Sequence, residues 1–175
     1  MTTKIKPEEI NIRTHLLPGD LGYIAYIHGW LYARELNYGL NFESYVLKGL
    51  EEFARQYEPL KDRVWICEHN EQIVGVMIGF HRGDTLQLRY FILLPDYRGL
   101  GLGRKLMYLF ISFMKEQGYH QAYLWTTNEQ HAAVSLYSSY GFRLTEEKES
   151  FAFDKPLVEQ RYDLIINKDE AIQKG

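Results

Sequence analysis

Apolar and polar positions change their period several times along the chain, and each change marks an element. Ile10 to Thr14 alternate and stop near Pro18-Gly19, which predicts a short first strand. From Asp20, a residue type that can cap a helix, the period becomes helical through Tyr23, Ile27, Trp30, Leu31 and Arg34, until Asn37 to Gly39 break it. Phe42, Tyr45, Val46, Leu50 and Phe53 predict a second helix to about Tyr57, with Pro59 beyond it. Val64 to Glu68 and Ile73 to Phe80 flank the polar His69-Asn70-Glu71, as in a hairpin. Arg82-Gly83-Asp84 turns the chain into a third strand, Thr85 to Leu94, which Pro95 stops. Strict alternation there puts Leu88, Tyr90 and Ile92 on one face, and Gln87, Arg89, Phe91 and Leu93 on the other.

The strongest helix runs from Leu102 to Gln117, with Leu102, Leu106, Leu109, Phe110, Phe113 and Met114 as its apolar face and Gly118 as its stop. Gln121 to Thr126 reads as a strand, and Gln130 to Tyr140 as a short helix ended by Gly141. Phe142 to Phe153 and Gln160 to Ile166 read as closing strands, and Lys168 to Gly175 as a polar, frayed tail. The order is β-α-α-β-β-β-α-β-α-β-β. It predicts an α/β fold of the α+β type: a mixed, mostly antiparallel sheet of about seven strands with helices on both faces.

At 175 residues, 46% apolar and 25% charged, the chain suits one domain spanning 1–175, with its core at about 10–166. The net charge of −3 disfavours a general nucleic-acid binder. A single cysteine, Cys67, excludes an internal disulfide framework, and no Cys/His spacing supports a metal site. No apolar run approaches the roughly 20 residues of a membrane span. MTTKIKPEEI has no apolar leader segment, so the expected setting is the cytoplasm.

The most informative stretch is Pro95-Asp-Tyr-Arg98-Gly99-Leu100-Gly101-Leu102-Gly103-Arg104-Lys105, between a strand and the strongest helix. Three alternate glycines let main-chain N–H groups approach an anion, and the helix start and three cations favour one; a pyrophosphate suits such a loop. Gly103 is followed by Arg-Lys-Leu, not by the Lys-Ser/Thr of a P-loop. The third glycine of a dinucleotide fingerprint would fall on Arg104 or Leu106, so that motif fails as well.

Arg98-x-x-Gly101-x-Gly103 resembles the Arg/Gln-x-x-Gly-x-Gly/Ala signature of the GNAT N-acetyltransferases. Ala133-x-x-Leu136-Tyr137-x-x-x-Gly141-Phe142 resembles their second signature, with Gln130 where the family carries Asn. The resemblance implies that acetyl-CoA is bound by Arg98 to Lys105, by the strand around Phe91, Ile92 and Leu93, and by Gln130 and Tyr137. It also implies a main-chain oxyanion donor within Phe91 to Leu94, and Tyr137 as the acid that protonates the departing thiolate.

A narrower likeness, through His28-Gly-x-Leu31-Tyr32-Ala-Arg34-Glu35, Leu88-Arg89 and Leu124-Trp125-Thr126, is to the acetyltransferase half of bacterial proteins that join a MarR-type regulator to a GNAT domain. It points to His28, Tyr32, Glu35, Arg89 and Trp125 as acceptor residues bordering one cleft, with Glu35 and His28 as candidate bases and a water chain as the alternative. Arg89 suits a carboxylate on a small, amino-acid-like amine, or a structural acid. Other readings left open are a non-catalytic acyl-CoA sensor and an enzyme acting on a protein amine. An exposed late strand could pair with a second copy to make a homodimer.

Overall fold

The computed structural model of the protein describes residues 5–167, and the frayed tail expected from Lys168 lies outside them. In chain order the elements are β1 (Asn11–Arg13), α1 (Asp20–Leu36), α2 (Leu40–Gln56), β2 (Arg63–His69), β3 (Gln72–Arg82), β4 (Thr85–Leu93), α3 (Leu102–Gln117), β5 (Gln121–Thr127), α4 (His131–Ser139), β6 (Arg143–Ser150) and β7 (Leu157–Ile165). The α3 bounds match the sequence expectation, while β7 starts three residues early. Short 3₁₀ turns at Pro7–Glu9 and Pro95–Tyr97 were not foreseen; in each, proline opens the turn.

The seven strands form one sheet in the order β1-β2-β3-β4-β5-β7-β6. Only β4 and β5 run parallel; the other neighbours are antiparallel. Asn70 and Glu71, at φ of 50° and 62°, make the tight β2–β3 hairpin turn. One core layer packs Leu102, Leu106, Phe110 and Met114 of α3 against one sheet face. The other packs Ile24, Ile27 and Leu31 of α1 and Val46, Leu50 and Phe53 of α2 against the opposite face. Helices thus cover both faces. β6, the edge where the sequence reading seats a second copy, has seven exposed residues of eight.

Asp20 does not cap α1. Gly19, at φ 97°, holds the capping position, and Asp20 begins the helix buried. Its carboxylate accepts from Arg13 at 2.7 and 3.2 Å and from the Leu17 N–H at 2.6 Å. Arg13 also reaches Glu68 on β2 at 2.9 Å, so this buried group ties α1 to the sheet edge.

The alternation expected along β4 fails at one place, and the failure shapes the site. Pairing with β3 slips between Val76 and Ile78, and Tyr90 sits at φ 53°, a left-handed conformation costly for an aromatic residue. The bulge sends consecutive side chains, Arg89 and Tyr90, to the α2 side. Beyond it Phe91 and Leu93 pack with Leu86 and Leu88 on the α3 side, while Ile92 joins the α1/α2 layer. A hydrophobic pattern cannot register one inserted residue inside an apolar strand.

Candidate active site

Parallel pairing of β4 with β5 covers only Thr85–Gln87 against Gln121–Tyr123. Past that point the strands part. Leu94 N–H donates to Val74 O on β3 at 2.9 Å, so alternation turns the main-chain groups of Leu93, and of Phe91 two residues back, into the gap. A groove of about 800 Å³ runs from this gap to the start of α3.

At the groove's outer end, Gly99 and Gly101 hold φ of 75° and 81°, where a side chain would be strained. Gly101 precedes the first turn of α3, and the first helical bond there runs from Lys105 N to Gly101 O at 3.1 Å. The N–H groups of Leu102, Gly103 and Arg104 therefore have no partner within the helix. A Cβ on Gly103 would stand 3.2 Å from Leu136 Cδ2, narrowing the groove between α3 and α4. Arg98, Gly99, Gly101, Gly103 and Arg104 line the groove as expected. Three neighbours do not: Leu102 is in the core, Leu100 packs against it, and Lys105 points to solvent beside β2. These open donors and cations fit a pyrophosphate.

Glu35 is also in this groove, not in the cleft expected to hold it with His28. Arg98 grips its carboxylate through both nitrogens, at 2.8 and 3.1 Å, while the Arg98 Nε–H donates to Leu93 O at 3.0 Å. The seven-residue spacing put His28 and Glu35 on one side of α1, but over two turns one end faces the buried cleft and the other the loop. Glu129 in the groove is tied to Lys155 at 2.5 Å.

At its inner end the groove meets a cleft of about 100 Å³. Four residues line both: Tyr32, Phe91, Gln130 and Tyr137. Tyr137 is buried on α4 beside Phe91, ring centres 6.2 Å apart; burial first, then nearby Tyr32, pushes its phenol well above the usual tyrosine range. Burial does the same to Tyr32, whose hydroxyl donates to Gln130 Oε1 at 3.4 Å. Gln130 precedes α4 as its cap residue, at the mouth that both spaces share.

His28, Tyr32, Arg89 and Trp125 come together around the cleft. His28 Nδ1 donates to Ile24 O at 2.8 Å, and burial lowers its pKa to about 4, so the ring is neutral near pH 7. Trp125 carries Lys148 Nζ 4.8 Å above its ring. Phe42, Tyr45, Tyr90, Phe153 and Glu159 are also among the lining residues, and sequence reasoning did not assign them to the site. Phe153 lies in the β6–β7 connection, where its carbonyl accepts the Gly39 N–H at 3.0 Å and draws the loop over α2. An aromatic before Asp154-Lys155-Pro156 was the only available signal.

Together, fold and site define a groove with open main-chain donors and cations at one end that is continuous at the other with a small buried cleft. A family model described as "Acetyltransferase (GNAT) family" matches residues 30–142, and the chain belongs to that family. A curated relative, N-acetyltransferase family 8 member 2 of Rattus norvegicus, is 26% identical over 144 residues, covering 75% of this chain and 64% of its own length. The chain spans 37% to 64% of the length of the curated relatives compared. An acetyltransferase structure from Streptococcus agalactiae superposes with a TM-score of 0.73 at 21% identity, over 91% of this chain and 99% of that one. A GNAT structure from Elizabethkingia anophelis with acetyl-CoA bound gives 0.65 at 15% identity, over 91% and 99%. Among the described residues, no helix is long and apolar enough to cross a membrane, and no cluster of three or more His, Cys, Asp or Glu could hold a metal.

Proposed function

We propose that the chain is, over its full length, one acetyl-CoA-dependent N-acetyltransferase domain acting in the cytoplasm. Its acceptor is a primary amine on a small molecule that carries a carboxylate. The observation that carries this reading is the shared wall of Tyr32, Phe91, Gln130 and Tyr137, which joins an anion-binding groove to a cleft large enough only for a small group. The narrower likeness to regulator-fused acetyltransferases rests on the stretch from His28 to Glu35, on Leu88-Arg89 and on Leu124-Trp125-Thr126. Of its acceptor residues, His28, Tyr32, Arg89 and Trp125 line the cleft while Glu35 lies in the groove, and it extends the proposal no further than this acceptor side.

Acetyl-CoA brings the thioester. In this reading the open N–H groups of Leu102, Gly103 and Arg104, with the Arg98 and Arg104 side chains, hold its pyrophosphate. One main-chain N–H on the open edge of β4, that of Phe91 or of Leu93, donates to the carbonyl oxygen as it gains charge. The amine nitrogen bonds the carbonyl carbon, the carbon–sulfur bond breaks, and Tyr137 Oη–H donates to the departing sulfur. The amine's surplus proton leaves through water, because His28 is too weakly basic and Glu35 is held by Arg98 outside the cleft. A covalent acetyl-enzyme is disfavoured: Cys67 is fully buried, and burial pushes its thiol up to about 12.

The carboxylate preference rests on Arg89. Its side chain is 9% exposed, and its nearest acid, Glu52, lies 4.0 Å away and is already bound to Arg82. Thiol release from acetyl-CoA, measured across free amino acids, their amides and polyamines, tests the proposal. Release is expected with carboxylate-bearing amines, and Arg89→Met should raise their KM about tenfold while leaving the amides nearly unmoved. Equal losses for acids and amides would make Arg89 structural. CoA binding without release on any amine would make the chain an acyl-CoA sensor instead.

A further inference from the structure

Gly49 lies inside α2, where alanine would serve the helix better. It is buried against β4, and a Cβ placed on it would stand 2.2 Å from Tyr90 Oη and 2.5 Å from Arg89 Nη2. Both distances are far inside van der Waals contact, so those two groups occupy the volume a side chain would need. They are the consecutive residues that the bulge throws to the same face, and both line the cleft. The Arg89 guanidinium lies 4.8 Å from the Tyr90 ring centre and 5.8 Å from that of Tyr45. Tyr90 is 8% exposed, and its hydroxyl is buried without a hydrogen-bond partner. The seat under Gly49 thus coincides with two local costs, a positive φ at a tyrosine and a buried hydroxyl without a partner.

We infer that Gly49 is a positioning residue for the acceptor: its missing side chain seats Tyr90 and Arg89 under α2, and this fixes where the acceptor's carboxylate is received. The inference rests on the carboxylate reading above. A methyl at Gly49 displaces the flexible guanidinium directly. It also pushes on a tyrosine ring that cannot bend away, so the bulge must shift.

The test compares the wild type, Gly49→Ala, Tyr90→Phe and the double variant. Thermal midpoints and CoA affinity are measured for each, along with KM and kcat for the best free amino acid of the panel and for its amide. Gly49→Ala is expected to lower the midpoint. It should raise KM for the acid about tenfold more than for the amide, with a smaller effect on kcat and CoA affinity within about twofold. Tyr90→Phe removes the nearer of the two groups the methyl meets and leaves the flexible Arg89 guanidinium. In that background Gly49→Ala should lower the midpoint less than it does with Tyr90 intact, and the KM ratio should return only part of the way; an undiminished loss of midpoint overturns the inference. A rise in midpoint with Tyr90 intact, or equal KM changes for acid and amide, overturns the inference. The stability cycle needs no acceptor, so it decides the hold of Gly49 on Tyr90 even if Arg89→Met shows that no carboxylate is recognised.

Discussion

The groove and the cleft meet at one wall but are built of different material. The groove is made by main chain: two glycines at positive φ, the open N–H groups of a helix start, and a strand whose partner has left it. The cleft is made by side chains drawn from α1, α2, β4, β5, α4, β7 and the β6–β7 connection, packed to leave about 100 Å³. A main-chain site depends chiefly on backbone geometry, with nearby charges such as Arg98 and Glu35 adjusting its strength. A side-chain site depends on each shape that encloses it. Substitutions in the two regions should therefore fail in different ways.

The largest effect is expected from Gly101→Glu. It places a side chain at φ 81° and a carboxylate where an anion binds, so CoA affinity should fall about 100-fold or more with far-UV circular dichroism unchanged. Calorimetric titration measures it; wild-type affinity would remove the groove from the cofactor assignment. Tyr137→Phe stands at the wall between the regions and should lower kcat about 100-fold while leaving acetyl-CoA affinity nearly intact. Burial raises the phenol's pKa, so its own ionisation should produce no alkaline loss of activity below about pH 10. An unchanged kcat, measured where chemistry limits the rate, returns Tyr137 to the core.

Cleft burial also sets a pH dependence of stability. His28 is neutral in the fold, with its pKa lowered from 6.5 to about 4. Between those values the unfolded chain binds a proton that the native chain does not, so stability is full above pH 6.5 and is lost as pH falls towards 4. The loss is on the order of 3 kcal/mol. Urea midpoints from pH 4 to 7 should show that slope in the wild type and a shallower one in His28→Gln; identical slopes would place the titration elsewhere. The smallest effect belongs to the groove's rim. Glu35 faces the anion site and occupies Arg98 through an exposed pair worth little by itself, so Glu35→Gln should tighten CoA binding by a few-fold, more at low salt. Weaker binding would mean that Glu35 orients Arg98 for the ligand.

The same contrast explains what could be read from the chain alone. Periods of two and 3.6 residues place every helix and strand to within a few residues, because burial of one face is written locally. The loop from Arg98 to Gly103 is legible for a related reason: glycine spacing encodes backbone geometry directly. The bulge at Tyr90 is not, since an apolar strand reads the same with or without an inserted residue. Phe153 and Glu159 reach the cleft only through the register of β7 and the path of its preceding loop, which are long-range properties. Glu35 illustrates the limit of helical spacing, which assigns a face but not the neighbour found two turns further along.

The parting of β4 from β5 also bears on how the native state opens. Among the described residues, three residue pairs make up the strand pairing between the half-sheet of β1 to β4 and that of β5 to β7. The molecule is then two leaves on a short spine, and amides along the open stretch should exchange with solvent through partial opening rather than global unfolding. A ligand lodged in the gap acts as a splint across both leaves. Its binding energy should appear as slowed hydrogen exchange on β5 and at the C-terminal end of β4, well before the outer edges β1 and β6 register it.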